Sequence, residues 1–135
     1  MPPLSQEQFP LQIIGFDALY GLEIVSLGED EATARVTVTD DVKQPAGLVH
    51  GGVYASIAES LTSLATWSAV SRDGMSAQGL SNQTSFLRPI LRGTIHATAR
   101  RRHRGRTTWV WEVDITDDED RLCALVRMTV AVRQP

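Results

Sequence analysis

The sequence predicts an α+β fold in which an antiparallel sheet wraps around one long helix. Three observations carry that expectation. Gly51 to Ser71 runs for 21 residues without Lys, Arg, Asp or His, and its apolar side chains recur at helical spacing. Strand-like alternation fills the chain on either side of this run. The 135 residues suit one core and leave no room for two domains of ordinary size. A helix with an apolar stripe, beside a sheet with one apolar face, buries both most simply by wrapping the sheet around the helix. The expectation is a single domain over residues 1–135, with 1–15 as an N-terminal extension.

Each element follows from its own pattern. In "ATARVTVTD", Ala32, Ala34, Val36 and Val38 share one face and Thr33, Arg35, Thr37 and Thr39 the other, as in a half-buried strand. "GLEIVSLGED" before it reads as its hairpin partner. From Gly52 to about Val70, Val53, Ile57, Leu61, Leu64 and Ala65 form a buried helical stripe, while Ala55, Glu59, Thr62, Ser63 and Thr66 form a more polar one. "SRDGMS" ends the helix. Strands follow in "QGLSNQTSFLRP", "GTIHATARRR" and "TTWVWEVDIT", the last with Trp109, Trp111, Val113 and Ile115 on one face. After a turn at "DDED", "RLCALVRMTVAV" places Leu122, Ala124, Val126, Met128, Val130 and Val132 on one face. Short strands joined by turn-like links predict antiparallel pairing.

Composition narrows the function classes. Hydrophobic residues at 42% and charged residues at 21% describe a globular chain, and 13 basic against 16 acidic residues offer nothing for nucleic acid overall. "ARRRHRGR", Ala99 to Arg106, runs against that average with five arginines, and reads either as a solvated strand end or as a local anion patch. Cys123 is the one cysteine, set in the apolar "LCALV", so it reads as a small core residue and the chain suits a reducing compartment. "MPPLSQEQFP" lacks the basic start and apolar core of a signal peptide, and the expectation is a cytoplasmic protein. The uncharged run is no membrane span either: it carries five serines, two threonines and Glu59. His50, His96 and His103 show no local ligand-pair spacing, and with Cys123 isolated no zinc site is expected.

The chemistry concentrates at the start of the helix. Its first amides are unpaired and carry the positive end of the helix dipole, and Gly51 and Gly52 let a ligand approach the backbone closely. That is a site for a carbonyl oxygen or oxyanion, with the Gly51 amide as donor. Glu59 is the one ionisable group in the run, and a carboxylate there is paired, neutralised or used. A structural Glu59 bonded to Ser63, one turn on, remains open. Used, it is a nucleophile or general base, which with the Gly51 amide makes the minimum for acyl transfer to water. Eight residues of helix separate the two groups by about 12 Å, too far for one carbonyl to meet both. Two antiparallel copies of the helix across a two-fold axis bring one subunit's Gly51 to the other's Glu59. We therefore expect a homo-oligomer.

"QPAGLVHGGVYASIAES", with the downstream "GRTTWVWEVDI" and "RLCALVRMTVAV", resembles the hotdog-fold acyl-CoA thioesterases of the PaaI-like type over roughly Leu22 to Arg133. Within them it is most similar to the 1,4-dihydroxy-2-naphthoyl-CoA hydrolases and the aryl-CoA thioesterases related to 4-hydroxybenzoyl-CoA thioesterase. The resemblance implies a hotdog fold and hydrolysis of an aryl or medium-chain acyl-CoA in a dimer or homotetramer. It also implies Glu59 as catalytic carboxylate, Gly51 as carbonyl polariser, Gln44 and His50 lining the thioester, and Ser63 holding water or carboxylate. Arg88 and the run His103, Arg104, Gly105, Arg106 and Thr107 fall where relatives contact coenzyme A, which is part of the substrate, so no separate cofactor is implied. The pattern breaks at Phe86, where some naphthoyl-CoA relatives carry a histidine nearby. The rival from another class is a non-catalytic acyl-CoA-binding or regulatory module of the same fold, which needs the pocket but not the carboxylate. A hotdog hydratase would rest on a differently placed Asp and His.

Overall fold

The computed structural model describes residues 12–135. Residues 1–11 of the expected N-terminal extension lie outside the described part. A one-turn helix α1 (Phe16–Leu19) leads into β1 (Glu23–Leu27) and β2 (Glu31–Thr37), followed by helix α2 (Gly51–Val70). Four strands then follow: β3 (Ser76–Phe86), β4 (Thr94–Arg104), β5 (Thr108–Thr116) and β6 (Leu122–Arg133). They form one antiparallel sheet in the order β1-β2-β4-β5-β6-β3, so the strand that leaves the helix crosses to the far edge. This is the predicted sheet around one long helix.

The period-two patterns set which face of the sheet meets α2. Ala32, Ala34 and Val36 of β2, Ile95, Ala97 and Ala99 of β4, and Trp109, Trp111, Val113 and Ile115 of β5 are all buried. Ala124, Val126, Met128, Val130 and Val132 of β6 complete that face, while Leu122 at its start is exposed. The helix lies closest to β3 and β6, while the two buried tryptophans of β5 fill space in the middle of the sheet.

The buried stripe of α2 differs from the predicted one. It runs through Tyr54, Ile57, Ala58, Leu61, Thr62, Ala65, Thr66 and Ala69, with Val53 and Leu64 at its margins. Thr62 and Thr66, expected on the polar stripe, are fully buried. Their hydroxyls donate back to the Ala58 and Thr62 carbonyls at 2.8 and 2.7 Å, leaving each side chain a compact β-branched filler. Thr66 Oγ1 also accepts the indole N–H of Trp111 at 3.0 Å, which ties helix to sheet. The helix ends through the turn Ser71–Asp73 at Gly74, whose φ of 72° suits glycine.

β3 is a long edge strand with little cover. Most of its side chains are exposed, including Leu80 at 53% and Phe86 at 62%, and Leu87 follows at 57%. A long edge strand paired on one side is a template for another strand.

Candidate active site

The loop before α2 is folded tightly so that it delivers Gly51. Lys43 and Val49 bridge, Gln44 N–H donates to the Leu48 carbonyl at 2.8 Å, and Gly47 takes a φ of 91° at the bend. The Gln44 side-chain oxygen accepts the Ala46 amide, so it serves the bend itself. Val49 N–H is held by the Ile90 carbonyl and His50 N–H by the Val42 carbonyl, at 2.8 and 2.9 Å.

His50 is the N-cap of α2. Its Nδ1 accepts the Gly52 amide at 2.8 Å and its carbonyl accepts the Val53 amide at 2.9 Å. Histidine stands outside the usual cap residues, so the sequence pattern did not announce this role. With those two donors taken, the Gly51 amide has no acceptor among the described residues. A Cβ on Gly51 would lie 2.5 Å from Cε1 of Phe86, so the aromatic ring sits directly on the glycine. A cavity of about 590 Å³ opens here, lined by Gln44, His50, Gly51, Tyr54, Phe86 and Arg88 among others. The Tyr54 hydroxyl at its margin is buried and has no hydrogen-bond partner among the described residues. Burial pushes its pKa up to about 12, against the nearby Ile90 backbone, which opposes the rise without reaching hydrogen-bond geometry.

Glu59 is exposed rather than buried. It has no hydrogen-bond or ion-pair partner among the described residues. Its side chain lies across β3, with Cγ and Cδ 3.6 and 3.7 Å from where a Gly79 Cβ would stand. A cleft of about 360 Å³ beside it is lined by Phe16, Ala55, Ser56, Ser60 and Asn82. On the other side, one of about 340 Å³ joins Glu59 to Asp17, Ser60, Ser63 and Trp67. No hydrogen bond joins Ser63 to Glu59 among the described residues. Two neighbours absent from the sequence reading fix this region. Asp17 Oδ1 accepts from Ser60 Oγ at 2.7 Å and from the Tyr20 hydroxyl at 2.8 Å, and Asn82 Nδ2 donates to the Ala55 carbonyl at 2.9 Å. Burial, and then the bond to Asp17, raises the Tyr20 hydroxyl well above its usual pKa.

Within one chain, then, Gln44, His50, Gly51 and Arg88 line one cavity, and Glu59 and Ser63 line another. The coenzyme A candidates other than Arg88 sit apart, at the β4–β5 turn. There Arg104 pairs with Glu29 at 3.3 Å, Arg101 with Asp30 at 2.7 Å, Arg102 with Glu112 at 3.2 Å and Arg100 with Asp114 at 3.1 Å. Arg101 and Arg104 also cover the Trp109 ring at 5.0 and 5.1 Å. Arg106 and Arg88 have no ion pair among the described residues. Gly105 closes the turn, since a Cβ there would meet the Thr108 carbonyl at 2.8 Å. Among the described residues, no helix is long and apolar enough to cross a membrane, and no group of His, Cys, Asp and Glu stands together as metal ligands.

A sheet of six antiparallel strands around one central helix is the hotdog fold, and a free amide at that helix's start beside a pocket is a site for a carbonyl. Residues 46–124 match the Thioesterase superfamily, and the chain belongs to that family of thioester hydrolases. The protein Rv1847 of Mycobacterium tuberculosis is 40% identical over 127 residues, spanning 92% of this chain and 91% of that one. The 1,4-dihydroxy-2-naphthoyl-CoA hydrolase of Listeria monocytogenes is 35% identical over 121 residues, 90% of this chain and 98% of the relative. The crystal structure of thioesterase HI1161 from Haemophilus influenzae superposes with a TM-score of 0.82 at 35% identity, covering 87% of this chain and 82% of that one.

Proposed function

We propose that the chain hydrolyses acyl-CoA thioesters at a site shared between two copies, releasing free acid and coenzyme A. The observation that carries this reading is the free Gly51 amide at the wall of an apolar cavity, on the same helix as an unpartnered Glu59. The Gly51 amide receives the thioester carbonyl oxygen, and Glu59 of the partner subunit attacks the carbonyl carbon or takes a proton from the water that does. The carbonyl π electrons move onto the oxygen at Gly51. When they return, the C–S bond breaks and coenzyme A leaves as thiolate, taking up a proton. Attack by water gives the free acid at once, whereas attack by Glu59 leaves a mixed anhydride that a water molecule then hydrolyses, releasing the acid and restoring the carboxylate. Separation of the two groups into different cavities of one chain supports an oligomer, dimer or dimer of dimers, and the uncovered β3 edge supports the same reading.

Leu48, Val49, Phe86, Leu87 and Pro89 make the cavity suited to an apolar acyl group, and the name of the Listeria relative favours an aryl one. Arg88, His103, Arg104, Gly105, Arg106 and Thr107 are the candidates for coenzyme A. Arg88 and Arg106 are free to meet phosphate, and the exposed Arg104–Glu29 pair is of a kind worth only about 0–1 kcal/mol, which a phosphate displaces. The test is Glu59→Gln, assayed with aryl and fatty acyl-CoAs and a thiol reagent. Melting temperature should be retained and kcat should fall about 100-fold or more, with KM much less affected. A folded variant with wild-type kcat would remove Glu59 from the mechanism and, with it, this reading.

A further inference from the structure

The Glu59 carboxylate makes no hydrogen bond among the described residues, yet a catalytic carboxylate needs a fixed position to within a fraction of an ångström. The means of fixing it lies in the strand beneath. Asn82 of β3 donates its side-chain N–H to the carbonyl of Ala55 at 2.9 Å. Ala55 stands four residues before Glu59, so its carbonyl is also the helical acceptor for the Glu59 amide. The bond from β3 therefore lands on the turn of α2 that carries the carboxylate. Asn82 is itself held, because Thr84 Oγ1 donates to its Oδ1 at 2.7 Å, which fixes which end of the amide faces the helix. In the same strand Gly79 presents bare backbone, and the Glu59 side chain lies on it.

β3 is the edge strand, paired on one side only to β6, and its own side chains are mostly exposed. The backbone ladder to β6 fixes the strand within the sheet but leaves its distance from any one turn of α2 free to vary. A directed hydrogen bond from a half-buried asparagine removes that freedom at the one turn where it matters. Asn82 also lines the Glu59 cleft together with Ser56 and Ser60. We infer that Asn82 is a positioning residue for Glu59, holding β3 against the Ala55–Glu59 turn with Thr84 as its support. This rests on the proposed catalytic role of Glu59.

The experiment compares Asn82→Ala, Asn82→Asp and Thr84→Val with the intact chain, each also in a Glu59→Gln background, using one acyl-CoA that the wild type hydrolyses. Asn82→Ala and Asn82→Asp, both lacking the N–H donor, should lower kcat by about 10-fold or more, on the scale of a catalytic group displaced by a fraction of an ångström, with KM within about threefold. Thr84→Val, which keeps the shape of threonine, should lower kcat less and should add nothing when combined with Asn82→Ala. In the Glu59→Gln background the Asn82 substitutions should cause no further loss. The inference is overturned by a folded Asn82→Ala protein with kcat within threefold of wild type, by a loss carried in KM, or by an equal loss with and without Glu59. Should Asn82→Ala not fold, Thr84→Val decides alone: it must lower kcat when Glu59 is present and leave it unchanged in the Glu59→Gln background. A Glu59→Gln protein with wild-type kcat would instead defeat the proposed function, which sets the two failures apart.

Discussion

The contact between Gly51 and Phe86 is a case where one side chain decides what a neighbouring backbone can carry. Adding a methyl group at the first position of a helix normally stabilises by about 0.4–1 kcal/mol through the unfolded chain, whereas overpacking costs about 1–3 kcal/mol. With Phe86 Cε1 only 2.5 Å from the new Cβ the ring must move, and at 62% exposure it can swing aside at less than the cost of core overpacking: Gly51→Ala should stabilise by less than that ordinary gain in urea titrations. In a Phe86→Ala background the full gain should return, because the obstacle is gone. A Gly51→Ala shortfall that persists without Phe86 would show that the ring is not its source. The sequence made Gly51 and Glu59 readable because each breaks a local pattern, a glycine pair before a helix and one charge in an uncharged run. It could not supply Phe86 as the glycine's neighbour, since that contact depends on where the edge strand is laid. His50 as a cap was equally hidden, because imidazole is an uncommon acceptor at that position.

At the scale of elements, every strand and the long helix were legible, since period-two and period-3.6 patterns describe burial directly. Thr62 and Thr66 were assigned to the wrong stripe because composition scores threonine as polar, while in a helix its hydroxyl satisfies itself on the preceding turn. The β5–β6 turn shows a second kind of local order. Asp117 Oδ1 accepts the backbone amides of Glu119 and Arg121, at 3.0 and 2.9 Å, and Oδ2 accepts Arg121 Nε at 2.8 Å. The Arg121 backbone bond foremost, followed by its side chain, holds the Asp117 carboxyl below its ordinary pKa of 3.8. A carboxylate lowered in this way stabilises the fold above its unfolded pKa and loses that contribution as pH falls through the folded value. Melting temperature should therefore drop below about pH 4 more steeply in wild type than in Asp117→Asn. Identical acid limbs would remove Asp117 as a source of that dependence.

The whole molecule raises a question that neither residue nor element answers, because the cavity at Gly51 and the clefts at Glu59 belong to different turns of one helix, the first at its start and the others at its middle. The sequence anticipated this from helical rise alone, and it stopped there because the partner's surface is a property of two chains. A mixing experiment addresses it. Glu59→Gln and a Gly51→Val variant, each inactive alone, should regain activity after subunit exchange, up to about one quarter of wild type if subunits assort randomly into dimers with one intact site each among two. Confirmed exchange without recovery would place both groups of a working site in one chain. The strand order has a further consequence, in the time taken to make the protein. β3 precedes β4, β5 and β6 in the chain, yet among the described residues its only strand partner is β6. At ~5–20 residues per second of synthesis, β3 waits on the order of seconds beside a finished helix with neither of its edges paired. Leu80, Phe86 and Leu87 stay exposed in the finished fold, but only during that interval do they flank a strand with both edges open, so the nascent chain is most prone to aggregate after β3 has emerged and before β6 has been made.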